Sequence, residues 1–277
     1  MPLMRLPTIH TSAASTDADL LRLFQQTDGR WAAQVAQATA LSCGTAYANR
    51  ELADVYDANH VREAALPEGA TAEEALEEVE AHYAAIGTRC AFWVMNPLAP
   101  TQRTAPLVRL LMHRGYRAQQ VDLMVLERAA RVSAPAPPSL MVIPARSSFR
   151  HTRQLFEEAT RRWNTPQLVD ACMLRLDDPH YDALLALSEG RPAAFIGVLV
   201  VGDVGRIEDV YVMEEFRRRG VGRLMLGRAI ELCGRAMLRR VMLEVAQDNV
   251  AARSLYAGAG FRVFGAATGY RAPWTSG

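Results

Sequence analysis

Hydrophobic positions in the second half of the chain change their period at regular intervals. Residues 183–187, 193–201 and 205–212 are dense in Ala, Val, Leu and Ile, and the breaks between them contain Glu189-Gly190 and Gly202-Asp203. Short apolar runs bounded by such pairs predict strands joined by hairpins. From Val221 to Met237 the period becomes helical, with Leu224, Met225, Ala229, Leu232 and Cys233 on one face. Arg240 to Ala246 predicts another strand, Val250 to Ala257 a helix, and strands resume at Phe261. Upstream, Leu140 to Pro144 predicts a first strand, with helices over Phe149–Trp163 and Gln167–Leu176.

Clustered prolines at Ala134-Pro135-Ala136-Pro137-Pro138-Ser139 predict a linker, because proline fixes an extended backbone and breaks helices. Three segments follow: residues 1–130, a Pro/Ala linker at 131–138, and residues 139–277. The first segment carries a weaker version of the later pattern. Arg89–Val94 predicts a strand, Ala105–His113 a helix and Val121–Leu126 a strand after Arg114-Gly115-Tyr116. Ala72–Tyr83 predicts the counterpart of the Val221 helix. Its approach, Pro67-Glu68-Gly69-Ala70-Thr71, is acidic and would repel a phosphate.

Half of the 277 residues are hydrophobic, enough for two cores of ordinary size, and the formal net charge is +1. That balance does not imply nonspecific nucleic-acid binding by the whole chain. Cys43, Cys90, Cys172 and Cys233 show no Cys-x-x-Cys spacing, which favours free thiols over zinc or a disulfide framework. No long apolar run suggests a signal peptide or a membrane span, so the expectation is a cytoplasmic protein. No metal and no nucleic-acid or membrane partner is expected; the oligomeric state stays open.

The chemistry concentrates at Phe216-Arg217-Arg218-Arg219-Gly220-Val221-Gly222-Arg223, between a predicted strand and a predicted helix. Unpaired N–H groups and the dipole at a helix start attract anions, and glycine lets the backbone approach them closely. A P-loop would need lysine, and the chain has none. The dinucleotide fingerprint would need glycine where Met225 stands. What remains is Arg217-x-x-Gly220-x-Gly222. Downstream lies Asn249-x-x-Ala252-x-x-Leu255-Tyr256-x-x-x-Gly260-Phe261. The two signatures together resemble those of the GNAT superfamily of N-acetyltransferases.

The resemblance implies an α/β (α+β) fold: a mixed, mostly antiparallel, splayed sheet flanked by helices. The weaker pattern of the first half points to a second, tandem copy, degenerate and without the CoA loop; an unrelated α/β domain is the alternative. Acetyl-CoA is the implied co-substrate. Arg217, Arg218, Arg219, Gly220, Val221, Gly222 and Arg223 would hold its pyrophosphate, while Val210, Val212 and Asn249 would meet the pantetheine arm. The Val212 N–H would also polarise the thioester carbonyl. Tyr256 is the implied general acid for the departing thiolate; otherwise its ring packs on the sheet. Asn249 can equally cap a helix. For the base, Glu208 is favoured over Glu244 and Asp209, with a bound water as an alternative. Neighbours on a strand point to opposite faces, so Glu208 and Asp209 should not both face a substrate. Tyr211, Trp163 and Asn164 are candidates for the acceptor pocket. The implied reaction is direct acetyl transfer to a primary amine, either a small molecule or a peptide N-terminus. A noncatalytic acyl-CoA sensor, an interaction module or a transferase of a larger acyl group are alternatives.

Overall fold

Glu189 and Gly190 both adopt positive φ (51° and 77°), the requirement of a two-residue type I′ hairpin, and they join two long strands as expected. A computed structural model describes residues 15–127, 140–161 and 165–273. The 131–138 linker, Trp163 and Asn164 lie outside the described residues. The first half runs α1 (Asp17–Ala32), β1 (Gln37–Leu41), β2 (Gly44–Ala48), β3 (His60–Ala64), α2 (Ala72–Ile86), β4 (Phe92–Met95), α3 (Thr101–His113) and β5 (Arg117–Leu126). The second runs β6 (Leu140–Pro144), α4 (Phe149–Thr160), α5 (Pro166–Arg175), β7 (Tyr181–Ser188), β8 (Arg191–Val201) and β9 (Val204–Val212). It ends with α6 (Val221–Arg235), β10 (Arg240–Ala246), α7 (Val250–Gly258) and β11 (Phe261–Arg271).

One sheet carries all eleven of these strands, in the order β1-β2-β3-β4-β11-β5-β10-β9-β8-β7-β6. It is mostly antiparallel; β3 with β4 and β9 with β10 are the parallel neighbours. The two halves interleave at its centre. β5 inserts between β10 and β11, and β11 pairs antiparallel with it from Phe261↔Leu126 to Arg271↔Arg117. β11 then reaches β4 over Gly269–Arg271.

Both faces of β5 are buried in cores that mix the halves. Leu123 and Val125 pack with Leu20 and Phe24 of α1 and with Val204, Met242 and Phe264. Met124 and Leu126 join the core under α6, beside Met225, Leu243 and Tyr256. Burying such side chains stabilises by roughly 1.5–3 kcal/mol each. Four of them match the whole net stability of an ordinary domain, about 5–15 kcal/mol. α1 is fixed by a Thr16–Asp19 capping box and lays Phe24 and Trp31 on the second half, where Trp31 meets Tyr181 edge-on at 5.6 Å.

A chain cut to residues 139–277 should therefore fail to fold, since it lacks β5 and α1. The expected result is no cooperative thermal transition and strong binding of a hydrophobic dye, while the whole chain melts cooperatively.

Candidate active site

The site begins where two strands part. β9 and β10 pair in parallel only between Val204–Arg206 and Arg240–Met242. Beyond that point β9 stays with β8, while β10 follows β5 as far as Ala246↔Val121. A V-shaped gap opens, with Arg206 at its vertex and the rest of β9 and β10 as its arms.

A bulge in β9 sets what faces the gap. Tyr211 pairs with Phe195 but Glu208 with Gly197, and Asp209 takes a left-handed φ of 52°. Ile207, Val210 and Val212 pack toward the α6 core. Glu208 reaches back to Arg206, and Asp209 accepts a hydrogen bond from the Tyr181 hydroxyl at 2.7 Å, within the core beneath α4 and α5. The expected alternation of Glu208 and Asp209 therefore fails. The extra residue puts both carboxylates on the face opposite α6. Gly197 makes room for this, since a Cβ there would lie 2.0 Å from the Tyr181 hydroxyl.

Arg206 is 1% exposed and serves three carboxylates. It pairs with Asp28 of α1, with Glu208 on one arm of the gap, and at 3.5 Å with Glu244 on the other. Burial is the main force raising the proton affinity of Glu208, to about 8; Arg206 opposes it, and Glu244, Asp209 and Asp28 reinforce it. Glu244 is raised in the same way. Close by, Arg175 donates to Asp57 at 2.8 Å and lies 3.9 Å over the Trp31 ring.

On the other side of the gap stands Tyr256 of α7, 5% exposed, its ring 6.1 Å from that of Phe261. Burial, and then the charge of Glu208, push its hydroxyl well above the ordinary range, so it keeps its proton at neutral pH. Asn249 is the N-cap of α7, accepting from the Ala252 N–H at 3.1 Å. That cap uses only its Oδ1.

The loop closes the open end. Gly220, at φ 79°, starts α6 without any side-chain cap, which leaves the first N–H groups of a 15-residue helix outward. Val221 is buried in the core and contributes backbone alone, while Gly222 packs close to Leu255 and Val212. Arg217, Arg218, Arg219 and Arg223 are exposed, and none of them forms an ion pair among the described residues. Arg217 donates from Nε to the Val212 carbonyl at 3.0 Å and lies 5.9 Å from the Tyr211 ring, tying the loop to the end of β9. Tyr211 is thus a support for the loop. The Met213 N–H bonds to Ala193 across the ladder, so by alternation the Val212 N–H turns toward the gap.

The first half carries the same kind of junction in altered form. β3 and β4 are parallel, Glu63 on β3 has a φ of 57°, and α2 follows. There the helix start is closed by its own capping box: Thr71 accepts from the Glu74 N–H, and the Glu74 carboxylate accepts from the Thr71 N–H. Leu111, four residues before Gly115, is aliphatic where Tyr256 stands four residues before Gly260.

Arg206 could have been found from sequence, since it lies two residues before Glu208 on one strand and so shares its face. Asp28, Asp57 and Arg175 carry no such signal.

A splayed mixed sheet with an uncapped, arginine-rich helix start beside the gap defines a site for an anionic, phosphate-bearing ligand. Residues 149–261 match the model of the acetyltransferase (GNAT) family. An 81-residue stretch is 31% identical to a Bacillus subtilis protein that carries the name ribosomal protein bS18-alanine N-acetyltransferase. It covers 29% of this chain and 54% of that one, so the chain spans about half the length of this curated relative. Two solved structures share the fold across both halves. A GCN5-related N-acetyltransferase from Kribbella flavida superposes with a TM-score of 0.61 at 16% identity, covering 95% of this chain and 98% of its own. A Staphylococcus epidermidis protein of unknown function gives 0.62 at 16% identity, over 86% and 95%.

Replacing Asn249 by Ala should cost about 1 kcal/mol of stability through the lost cap. Asn249→Ser should keep most of it, so CoA affinity in the serine variant, measured by calorimetry, isolates any contact with the pantetheine arm.

Proposed function

We propose that this protein is an N-acetyltransferase that moves the acetyl group of acetyl-CoA to a primary amine by direct attack in a ternary complex. The observation that carries this reading is the convergence of three features on one gap: an uncapped basic helix start, a buried protonated tyrosine and raised carboxylates. The α6 N–H groups and Arg218, Arg219 and Arg223 would hold the pyrophosphate. The pantetheine arm would lie along Val210 and Val212 as an added strand, with the Val212 N–H on the thioester oxygen. The neutral amine attacks the carbonyl carbon, a C–N bond forms, and the C–S bond breaks. The Tyr256 hydroxyl gives its proton to the departing sulfur, and the amine's proton goes through water to Glu208 or Glu244.

The acceptor amine would approach Glu208 and Glu244, the carboxylates on the two arms of the gap. Peptide α-amines belong first in an acceptor panel, given the name of the Bacillus relative. The first half is proposed as a degenerate copy at residues 1–130, preceding an active unit at 139–277. Its order of elements, its self-capped α2 and Leu111 in place of Tyr256 support that. No described helix is long and apolar enough to cross a membrane, and a cytoplasmic location is part of the proposal.

Tyr256→Phe should lower kcat by about 10²–10³-fold with CoA affinity unchanged, read as thiol release against calorimetric binding. Weakened binding alone would recast Tyr256 as a packing residue. The rate should rise with pH through the Glu208 transition near 8, because the base acts deprotonated and burial raises that transition. Glu208→Gln should remove this limb from the pH profile of kcat/KM.

A further inference from the structure

The gap's carboxylates draw their counter-charge from a network that begins in the other half of the chain. Asp28 lies near the end of α1, one of its oxygens on Arg206 and the other on Arg62 of β3 at 2.5 Å. Thr27 stands 3.3 Å from the same Arg206 nitrogen, and the Phe24 ring lies 4.3 Å from its guanidinium carbon. Three contacts from α1 thus fix the orientation of one buried cation. Arg206 can turn toward Glu208 and Glu244 only as far as Asp28 lets it.

We propose that Asp28 is a positioning residue for proton transfer at the gap: it holds Arg206 and shares its charge, so that Glu208 and Glu244 together lack one full counter-ion. The inference rests on the reading of these glutamates as the base. Two guanidinium groups, Arg206 and Arg62, face three carboxylates, Asp28, Glu208 and Glu244. One proton in excess is the low-energy solution in a buried site. The other groups facing this cluster are Asp209 on β9, Tyr256 on α7, His60 on β3, which accepts from Arg62 Nε at 2.9 Å, Tyr47 on β2, and Tyr56 and Asp57 on the turn before β3. Arg175 already neutralises Asp57. The raised proton affinity of both glutamates agrees with this arrangement.

The two partners of the shared charge act with opposite sign. Asp28→Asn removes a competing anion and leaves Arg206 to the glutamates, so they ionise at lower pH. Arg62→Gln removes the second cation, throws Asp28 wholly onto Arg206, and makes the glutamates ionise at higher pH. Each shift should be about one pH unit, as expected for a charge a few ångströms away in a buried site. A residue that merely braced the fold would move stability and not this midpoint.

The test is difference infrared spectroscopy of the ligand-free whole chain, following the carboxylic-acid C=O band through the neutral range. A downward shift in Asp28→Asn or an upward shift in Arg62→Gln supports the proposal, and either variant suffices if the other fails to fold. Midpoints unmoved in every variant that folds overturn it. Glu208→Gln and Glu244→Gln form the separate control. If both keep the neutral-range band, the base reading itself is wrong, whatever Asp28 does.

Discussion

A single buried guanidinium organises this molecule. Arg206 sits where β9 and β10 stop pairing, and it holds one carboxylate on each arm of the gap and one on α1. A desolvated cation of this kind is tolerated only when its partners are placed and satisfied. Three elements from two halves of the chain must therefore reach their final positions before it is stable. The placing of the two arms of the gap and the docking of α1 meet that one requirement, while burial raises the proton affinity of the carboxylates against the pull of Arg206.

The strand exchange at the centre follows the same logic. β5 lies between β10 and β11, so the wall of the gap formed by β10 is braced by a strand from the other half. Apolar side chains on both faces of β5 fill cores that neither half completes alone. The arrangement makes the first half a structural partner of the gap, while the start of its own α2 is closed by Glu74. In the second half the start of α6 carries no carboxylate and no side-chain cap, and exposed arginines surround it. The difference between a closed and an open helix terminus separates the two halves chemically.

Much of the site was legible in the residues. Arg217-x-x-Gly220-x-Gly222 marked the turn whose Gly220 adopts positive φ, and Asn249 and Tyr256 lie on the helix beside the gap. The hairpins at Glu189-Gly190 and Gly202-Asp203 were equally plain, because positive φ demands such residues. The face of Asp209 was not legible. Alternation placed it opposite Glu208, and only the bulge, created where β9 meets Ile196 and Gly197 with one residue too many, turned both to one side. β1 was invisible for a different reason: Gln37–Leu41 is an edge strand with its side chains largely exposed, so no apolar pattern marks it.

By itself, then, the order of residues determined the local matters. It set which turns require glycine, where a helix starts without a cap, which helix face is apolar, and that a basic anion loop precedes a tyrosine-bearing helix. These are short-range properties, governed by backbone sterics and side-chain period. Tertiary structure alone decided that the halves share one sheet, that Asp28 meets an arginine 178 positions later, and that three carboxylates divide one buried cation. Burial and the pairing of distant charges have no period along a chain. They exist only once the strands have been brought side by side.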